Sequence, residues 1–134
     1  MSTGARALAG LRILVVDDNQ DTLEPLVRLL ALNGAAVRSC RSAREARELL
    51  AAFRADLMIS DLAMPDEDGF DFIMSIRQLP VEQGGRTPAI AFSAVTDAQA
   101  RERALRSGYQ EFIPKLEIAT LLSAIASLAA RGHG

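Results

Sequence analysis

Several residue types are scarce in this chain of 134 residues, and the scarcity of cysteine, histidine and long apolar runs excludes some classes of protein. Tryptophan is absent, while cysteine, histidine, lysine and tyrosine occur once each. The lone Cys40 cannot form an internal disulfide, and it has no cysteine or histidine companion at metal-ligand spacing. No apolar run approaches the roughly 20 residues of a membrane span, and residues 1–10 lack the apolar core of a signal peptide. We therefore expect a cytoplasmic protein with no membrane partner.

The charge balance is also close to neutral. A net charge of −2 leaves no basic excess that would favour nucleic acid as the main partner. With 49% hydrophobic residues, the chain can bury one core. We expect a flexible lead at residues 1–10, one domain at 11–130 and a flexible tail at 131–134. Met1 suits a stand-alone protein, and no helix-turn-helix remains to be assigned, so we expect no direct nucleic acid binding.

Two patterns of hydrophobic residues alternate along the chain, one typical of strands and the other of helices. Short apolar runs typical of buried parallel strands occur at residues 12–16, 36–40, 56–60, 88–92 and 109–113. Helical spacing follows each run, with predicted helices ending at Asn33-Gly34 and covering residues 42–53, 70–79, 97–107 and 116–130. Pro25 leaves the first turns of the first helix uncertain. Five alternating units predict a doubly wound α/β domain with a five-stranded parallel sheet.

Polar residues recur where the predicted strands end. Asp17 and Asp18 follow the first strand, Asp61 the third, Ser93 the fourth and Lys115 the fifth. In open parallel sheets, ligands bind beyond the carboxyl ends of the strands, near the point where the strand order reverses. The fold would therefore bring these five side chains to one edge.

Such a cluster has a definite chemistry. Three crowded carboxylates repel one another unless their pKa values rise or a cation neutralises them. Oxygen ligands without histidine or cysteine favour a hard ion, and a site with few carboxylates suits Mg²⁺. Lys115, the sole lysine, supplies a compact ammonium where a guanidinium would be too wide. Together they predict a pocket for a phosphoryl group, which an aspartate could attack as nucleophile.

Four motifs extend this reading: LVVDDN at 14–19, ISDLAMPDEDGF at 59–70, AFSA at 91–94 and FIPK at 112–115. In this order and spacing they resemble the receiver domains of two-component response regulators, over nearly the whole chain. The stretch 76–93 is most similar to receivers of hybrid kinases. The resemblance implies a flavodoxin-like fold and a phosphoprotein of a phosphorelay, acting as a signalling switch and not as a metabolic enzyme.

The resemblance also implies residue roles. Asp61 would be the phospho-acceptor and would become 4-aspartylphosphate. Asp18 and Asp61 would bind Mg²⁺ with the backbone carbonyl of Ala63, and Asp17 would hold the metal largely through water. Lys115 would pair with the acyl phosphate.

Further roles concern the switch and its partners. Ser93 resembles the switch hydroxyl of receivers, and Phe112 the switch aromatic. The output face would consist of the fourth helix, fifth strand and fifth helix, and would contact a downstream protein. Because the only histidine, His133, lies in the expected tail, the donor would be a histidine kinase or histidine phosphotransfer protein. The chain would be a monomer or a phosphorylation-dependent dimer.

The sequence departs from the receiver pattern in two places. Receivers usually have proline after the lysine, whereas here Pro114 precedes Lys115 and Leu116 follows it. We expect a trans bond there, because a cis bond without proline costs about 3 kcal/mol, and a shifted lysine or a remodelled start of the last helix. Ala63 and Val95 occupy positions that line the path of the hydrolytic water in receivers. Neither can orient water, so we expect a long-lived phosphorylated state.

Other functions fit the residues less well. A flavin mononucleotide protein needs a glycine- and hydroxyl-rich phosphate loop where this chain has Asp17-Asp18, and a dehalogenase-like phosphatase needs a second aspartate two residues after Asp61. The stretch 66–69 has its glycine too early for a calcium loop and lacks the closing glutamate. The remaining alternative is a pseudo-receiver, a binding module that keeps the fold and does not depend on phosphorylation.

Overall fold

Five strands and five helices alternate along the chain in the computed structural model, which describes residues 7–133. The strands are β1 Arg12–Val16, β2 Ala36–Cys40, β3 Leu57–Ser60, β4 Ala89–Ser93 and β5 Glu111–Pro114. The helices are α1 Gln20–Leu32, α2 Ala43–Phe53, α3 Gly69–Arg77, α4 Ala98–Ser107 and α5 Ile118–His133.

All neighbouring strands pair in parallel, in the order β2-β1-β3-β4-β5. The predicted doubly wound, flavodoxin-like α/β fold is therefore confirmed. The chain moves outward from β1 to β2 and then returns past β1 to β3, so the strand order reverses between β1 and β3. That reversal opens a crevice at the carboxyl ends of these two strands.

The central strands are buried on both faces, which explains why they read as continuous apolar runs. Alternate residues enter two separate hydrophobic clusters. Leu14 and Val16 pack in a cluster with α2, α3 and α4, whereas Ile13 and Val15 pack in another with α1 and α5. The sheet is thus the shared middle layer of two cores.

Four of the helices begin at a side chain that accepts a hydrogen bond from a backbone N–H in the first turn. A capping oxygen of this kind satisfies one of the N–H groups that a helix start leaves without a partner. These caps are Asn19 for α1, Ser42 for α2, Asp68 for α3 and Asp97 for α4. Because Asp68 caps α3, part of the acidic stretch at 66–69 serves the helix start.

Some element boundaries differ from the predicted ones. Helix α1 runs unbroken through Pro25, which lies exposed on its surface. Helix α3 covers Gly69–Arg77 and not 70–79, and a short 3-10 helix at Val81–Gln83 interrupts the expected irregular linker. Strand β5 starts at Glu111 and not at 109, because the N–H of Tyr109 still donates to the carbonyl of Ala104 at the end of α4.

The structure describes part of the expected lead and tail. Residues 7–10 form a turn, and Leu8 is only 1% exposed, with its N–H 2.8 Å from the carbonyl of Asn33. Helix α5 continues to His133 and does not end at 130. Residues 1–6 and 134 lie outside the described part. Within that part, none of the helices has the length and apolar character needed to cross a membrane.

Arg77, the last residue of α3, joins three segments through its half-buried guanidinium. It donates to the carbonyls of Gly85 and Thr87, which precede β4, at 3.1 and 2.8 Å. It also donates twice to the carbonyl of Gly108, at 3.0 and 2.7 Å, and once to Gln110. Burial lowers the pKa of Arg77, but these acceptors replace the water that the charged group gives up.

We predict that Arg77→Met lowers the free energy of unfolding by about 2–4 kcal/mol, because buried carbonyls lose their charged donor and cannot be rehydrated. Urea unfolding followed by far-UV circular dichroism measures the change. The control is Arg86→Met, since Arg86 is exposed, and we expect it to stay within about 0.5 kcal/mol of the unmodified chain. Equal losses in the two variants would contradict the role assigned to Arg77.

Candidate functional site

Three carboxylates meet at the crevice between β1 and β3. Asp17 and Asp18 follow β1 directly, Asp61 follows β3, and strand pairing sets Val16 opposite Ser60. Each aspartate offers an oxygen within 4.8 Å of those of the other two. Asp17 and Asp61 are only 3% and 7% exposed, whereas Asp18 is half-buried. The predicted acidic cluster therefore forms, and it is largely removed from solvent.

Lys115 reaches this cluster from the far side of β4. Its Nζ lies 2.9 Å from Oδ2 of Asp17 and 3.3 Å from Oδ2 of Asp61. Burial alone lowers the pKa of the ammonium, but the hydrogen bond to Asp17 and the charges of both aspartates outweigh that effect and raise the pKa overall. The lysine is thus charged in the pocket, and its favourable charge interactions are lost only in alkaline solution.

The surroundings of Asp61 disfavour the ionised form of its carboxyl group. Burial raises the pKa of its carboxyl, and the neighbouring charge of Asp17 raises it further, while Lys115 and a backbone hydrogen bond counteract part of the shift. Oδ1 accepts a hydrogen bond from the N–H of Leu62 at 2.8 Å. The backbone thus orients one carboxylate oxygen, and the other faces Lys115.

Backbone contacts hold the acidic loops in place. Oδ1 of Asp17 accepts from the N–H of Asn19 at 2.9 Å, and Asn19 in turn caps α1. Arg41, just beyond β2, donates through Nε and Nη2 to the carbonyl of Asp18 at 3.2 and 3.0 Å. Sequence reasoning did not single out Arg41, since nothing in its local pattern separates it from the other arginines.

Three predicted residues remain: Ser93 on β4, Phe112 on β5 and Ala63 in the loop after β3. Ser93 ends β4 and is buried, and its Oγ accepts from the N–H of Val95 at 3.0 Å. Its described hydrogen bonds do not reach the aspartates. Phe112 is buried in β5, two residues before Pro114, which pairs with Ser93. Ala63 is exposed, with its N–H 3.4 Å from Oδ1 of Asp61.

Lys115 contacts the aspartates although Leu116, and not proline, follows it. The described chain contains no cis peptide bond, so the bond before Leu116 is trans as expected. A turn follows, in which Glu117 donates to the carbonyl of Pro114 at 3.0 Å, and α5 begins only at Ile118. Leu116 is 96% exposed and contributes nothing to the core.

The donor set fits a divalent cation. Three carboxyl groups and one ammonium share a confined volume, so acidic groups outnumber basic ones there. Oxygen ligands alone favour Mg²⁺ or a similarly hard ion. Asp17, Asp18 and Asp61 could hold such an ion, and Lys115 could share the charge of an anionic group bound beside it.

Comparisons with known proteins agree on one family. The family model of the response regulator receiver domain matches residues 13–126. An uncharacterised 14.6 kDa protein of Leptolyngbya boryana is 42% identical over 110 residues, which cover 82% of each chain. The response regulator MprA of Mycolicibacterium vanbaalenii is 33% identical over 78% of this chain but only 44% of its own length. This chain therefore spans about half of such longer relatives.

Solved structures of receiver domains are also similar to this chain. The crystal structure of the receiver domain of the histidine kinase CKI1 from Arabidopsis thaliana, complexed with Mg²⁺ and BeF₃⁻, has a TM-score of 0.82 to this chain. The two are 25% identical, and the match covers 96% of this chain and 95% of the Arabidopsis one.

We predict that Asp61→Asn increases the free energy of unfolding at neutral pH when a chelator removes divalent ions. The pKa of Asp61 is raised in the folded state, so the ionised carboxylate that prevails at neutral pH opposes folding. An amide removes this repulsion, and Lys115 keeps its contact with Asp17. Urea unfolding at neutral pH and at about pH 4 measures the effect, which shrinks as acid protonates the native carboxyl.

The matched control is Asp66→Asn, which removes an exposed carboxylate from the same loop. We expect little change in its free energy of unfolding at either pH. A destabilised Asp61→Asn variant in chelator would contradict the inferred repulsion.

Proposed function

The chain belongs to the response regulator receiver domain family, and on that premise we propose that it is a phosphorylation-dependent switch that accepts a phosphoryl group onto Asp61. Receiver domains of two-component systems act as signalling switches, which is the coarse function of this chain. The observation that carries the finer proposal is the convergence of Asp17, Asp18, Asp61 and Lys115 at one edge of the sheet.

The acceptor step is a displacement at phosphorus. An oxygen of the Asp61 carboxylate forms a bond to phosphorus as the bond between phosphorus and the donor's imidazole nitrogen breaks, and that nitrogen keeps the electron pair. Lys115 places its ammonium where it can neutralise a phosphoryl oxygen. The N–H of Leu62 orients the attacking carboxylate. A bound Mg²⁺ would supply the remaining positive charge.

Asp18 and Asp61 would hold Mg²⁺ directly with the carbonyl of Ala63, and Asp17 largely through water. Support comes from the Arabidopsis receiver, whose structure contains Mg²⁺ and BeF₃⁻. Beryllofluoride has the shape and charge of a phosphoryl group. The three aspartates of this chain offer the oxygen ligands that such a site requires.

Ser93 and Phe112 would connect the occupied pocket to an output face. In the proposed switch, the Ser93 hydroxyl leaves the N–H of Val95, binds a phosphoryl oxygen, and allows Phe112 to change rotamer. The output face would comprise α4, β5 and α5 and contact a downstream protein. Exposed arginines on α4, one of them Arg103 stacked 4.0 Å from the ring of Phe70, would contribute positive charge there.

The proposed phosphoryl donor is a histidine kinase or a histidine phosphotransfer protein in the cytoplasm. Its histidine would come from another chain, because His133 is the sole histidine here and lies at the end of α5. We keep residues 11–130 as the proposed receiver unit, and a monomer or a phosphorylation-dependent dimer as the proposed assembly. A pseudo-receiver gains no support, since the complete set of acidic residues, hydroxyl and lysine is present.

Phosphorylation tests the proposal directly. Intact mass is measured after incubation with MgCl₂ and acetyl phosphate, and we expect a gain of one phosphate. The gain should vanish for Asp61→Asn, which lacks the nucleophile, and in a chelator, which removes the metal. Asp66→Asn should gain phosphate normally. A gain that survives in Asp61→Asn would reject Asp61 as the acceptor, and no gain together with no Mg²⁺ binding would favour the pseudo-receiver.

The lifetime of the phosphorylated form is a separate prediction. Ala63 and Val95 are exposed at the pocket rim and cannot orient a water molecule. Ala63→Asn and Val95→Gln each add a hydrogen-bonding group, and we expect phosphate loss to accelerate about fivefold, the value of one additional hydrogen bond in the transition state.

Decay of the phosphorylated mass after removal of acetyl phosphate measures this rate. The controls are Ala63→Val and Val95→Leu, which change size without adding polarity, and their decay should match that of the unmodified chain. Unchanged decay in all the polar variants would contradict the role given to these two positions.

A further inference from the structure

The turn between α4 and β5, residues 108–110, is bonded to both ends of α3. The guanidinium of Arg77, the last residue of α3, donates to the carbonyl of Gly108 at 2.7 Å. The hydroxyl of Tyr109 donates to the carbonyl of Gly69, the first residue of α3, at 2.8 Å. A helix held at both ends moves with the turn as one body, because its own backbone hydrogen bonds keep its length fixed.

The first residue of α3 also lies directly against the acceptor aspartate. A Cβ atom added at Gly69 would stand 2.5 Å from the carbonyl oxygen of Asp61 and 2.7 Å from Cα of Leu62. The N–H of Gly69 donates to the carbonyl of Leu62 at 2.8 Å. Close packing and this hydrogen bond join the two ends of the loop at residues 61–69, which we call the acceptor loop. The end of the loop therefore cannot shift without moving the Asp61 peptide.

A small polar cluster fills the space behind that peptide. The Ser60 hydroxyl donates to the carbonyl of Asp61 at 2.8 Å and lies beside the hydroxyl of Tyr109. Tyr109 is only 3% exposed. Burial raises the pKa of its phenol, so the hydroxyl remains a donor at physiological pH.

We propose that Tyr109 is a positioning residue, which holds the acceptor loop from behind and passes its displacement to the α4–β5 turn. The proposal rests on the function proposed above and names a second connection, distinct from the pair Ser93 and Phe112. That pair lies on β4 and β5 and acts through these strands. Tyr109 acts through α3 and is connected to β5 at the end where that strand begins.

Packing alone does not account for a tyrosine here. A phenylalanine would fill the same apolar space in the cluster formed with α2, α3 and α4. The hydroxyl adds a specific bond between segments 40 positions apart in the sequence. Buried bonds of this kind fix one arrangement of two segments over others, because a displaced hydroxyl would be left without a partner and without water.

The sequence provides a direct reporter for this connection. Because the chain has no tryptophan and one tyrosine, its intrinsic emission comes from Tyr109 alone. Phenol emission responds to the hydrogen bond made by the hydroxyl. We expect MgCl₂, and separately MgCl₂ with acetyl phosphate, to change this emission. The half-maximal change with MgCl₂ should fall at the dissociation constant obtained from the rise in melting temperature. Constant emission while the melting temperature rises would overturn the proposal.

Tyr109→Phe tests the same connection by removing one oxygen atom. We expect its dissociation constant for Mg²⁺, obtained from melting temperature against MgCl₂ concentration, to rise about fivefold, as the loss of one net hydrogen bond predicts. We also expect phosphorylation with acetyl phosphate to change amide exchange in residues 104–112 less than in the unmodified chain. A purely structural role would lower the melting temperature without altering either readout.

The matched control is Thr87→Val, which also removes one hydroxyl group from a buried side chain, in this case in the loop before β4. Its Mg²⁺ affinity and exchange response should stay unchanged. Wild-type values of both readouts in Tyr109→Phe would overturn the proposal. If Tyr109→Phe does not fold, the emission of the unmodified chain decides alone.

Failure of this inference is distinguishable from failure of the proposed function. An unmodified chain that neither gains phosphate by intact mass nor binds Mg²⁺ by melting temperature refutes the function, and the inference with it. An unmodified chain that does both, with silent tyrosine emission, leaves the function standing and rejects only the role of Tyr109.

Discussion

Repulsion among the buried carboxylates is the constraint on which the arrangement of the site depends. Asp17 and Asp61 are nearly out of contact with solvent, and Asp18 lies beside them. Like charges at such distances stay ionised only if opposite charge is close. Lys115 supplies one positive charge, bonded to Asp17 and Asp61. The protein thus holds unfavourable energy at this point, which a bound cation can relieve.

Much of this could be predicted from the sequence, because it follows from order along the chain. Apolar runs separated by helical spacing predicted the five parallel strands, and residues that end such strands must meet at one edge. Asp17, Asp61 and Lys115 are brought together for that reason alone. The resemblance to receiver domains added roles for these residues, and the family match confirmed the resemblance itself. The individual roles stay predictions.

Contacts made by long side chains across the fold could not be predicted in the same way. Arg41, Arg77 and Tyr109 bind backbone carbonyls 23, 31 and 40 positions away. Every residue provides such a carbonyl, so the sequence holds no pattern that marks the partner. The late start of β5 has a different origin, a local backbone bond by which the N–H of Tyr109 still closes the end of α4. Element ends depend on these local bonds more than on hydrophobic period.

The nearly complete exposure of Leu116 has an evolutionary consequence. A side chain that touches almost nothing of its own protein can be exchanged at little cost to folding. It nonetheless stands next to Lys115, beside the pocket that the proposed phosphoryl donor would approach. After a gene duplication, two copies could diverge at this position and acquire different preferences among kinases. The proposed acceptor chemistry, which depends on buried residues, would stay the same in both lineages.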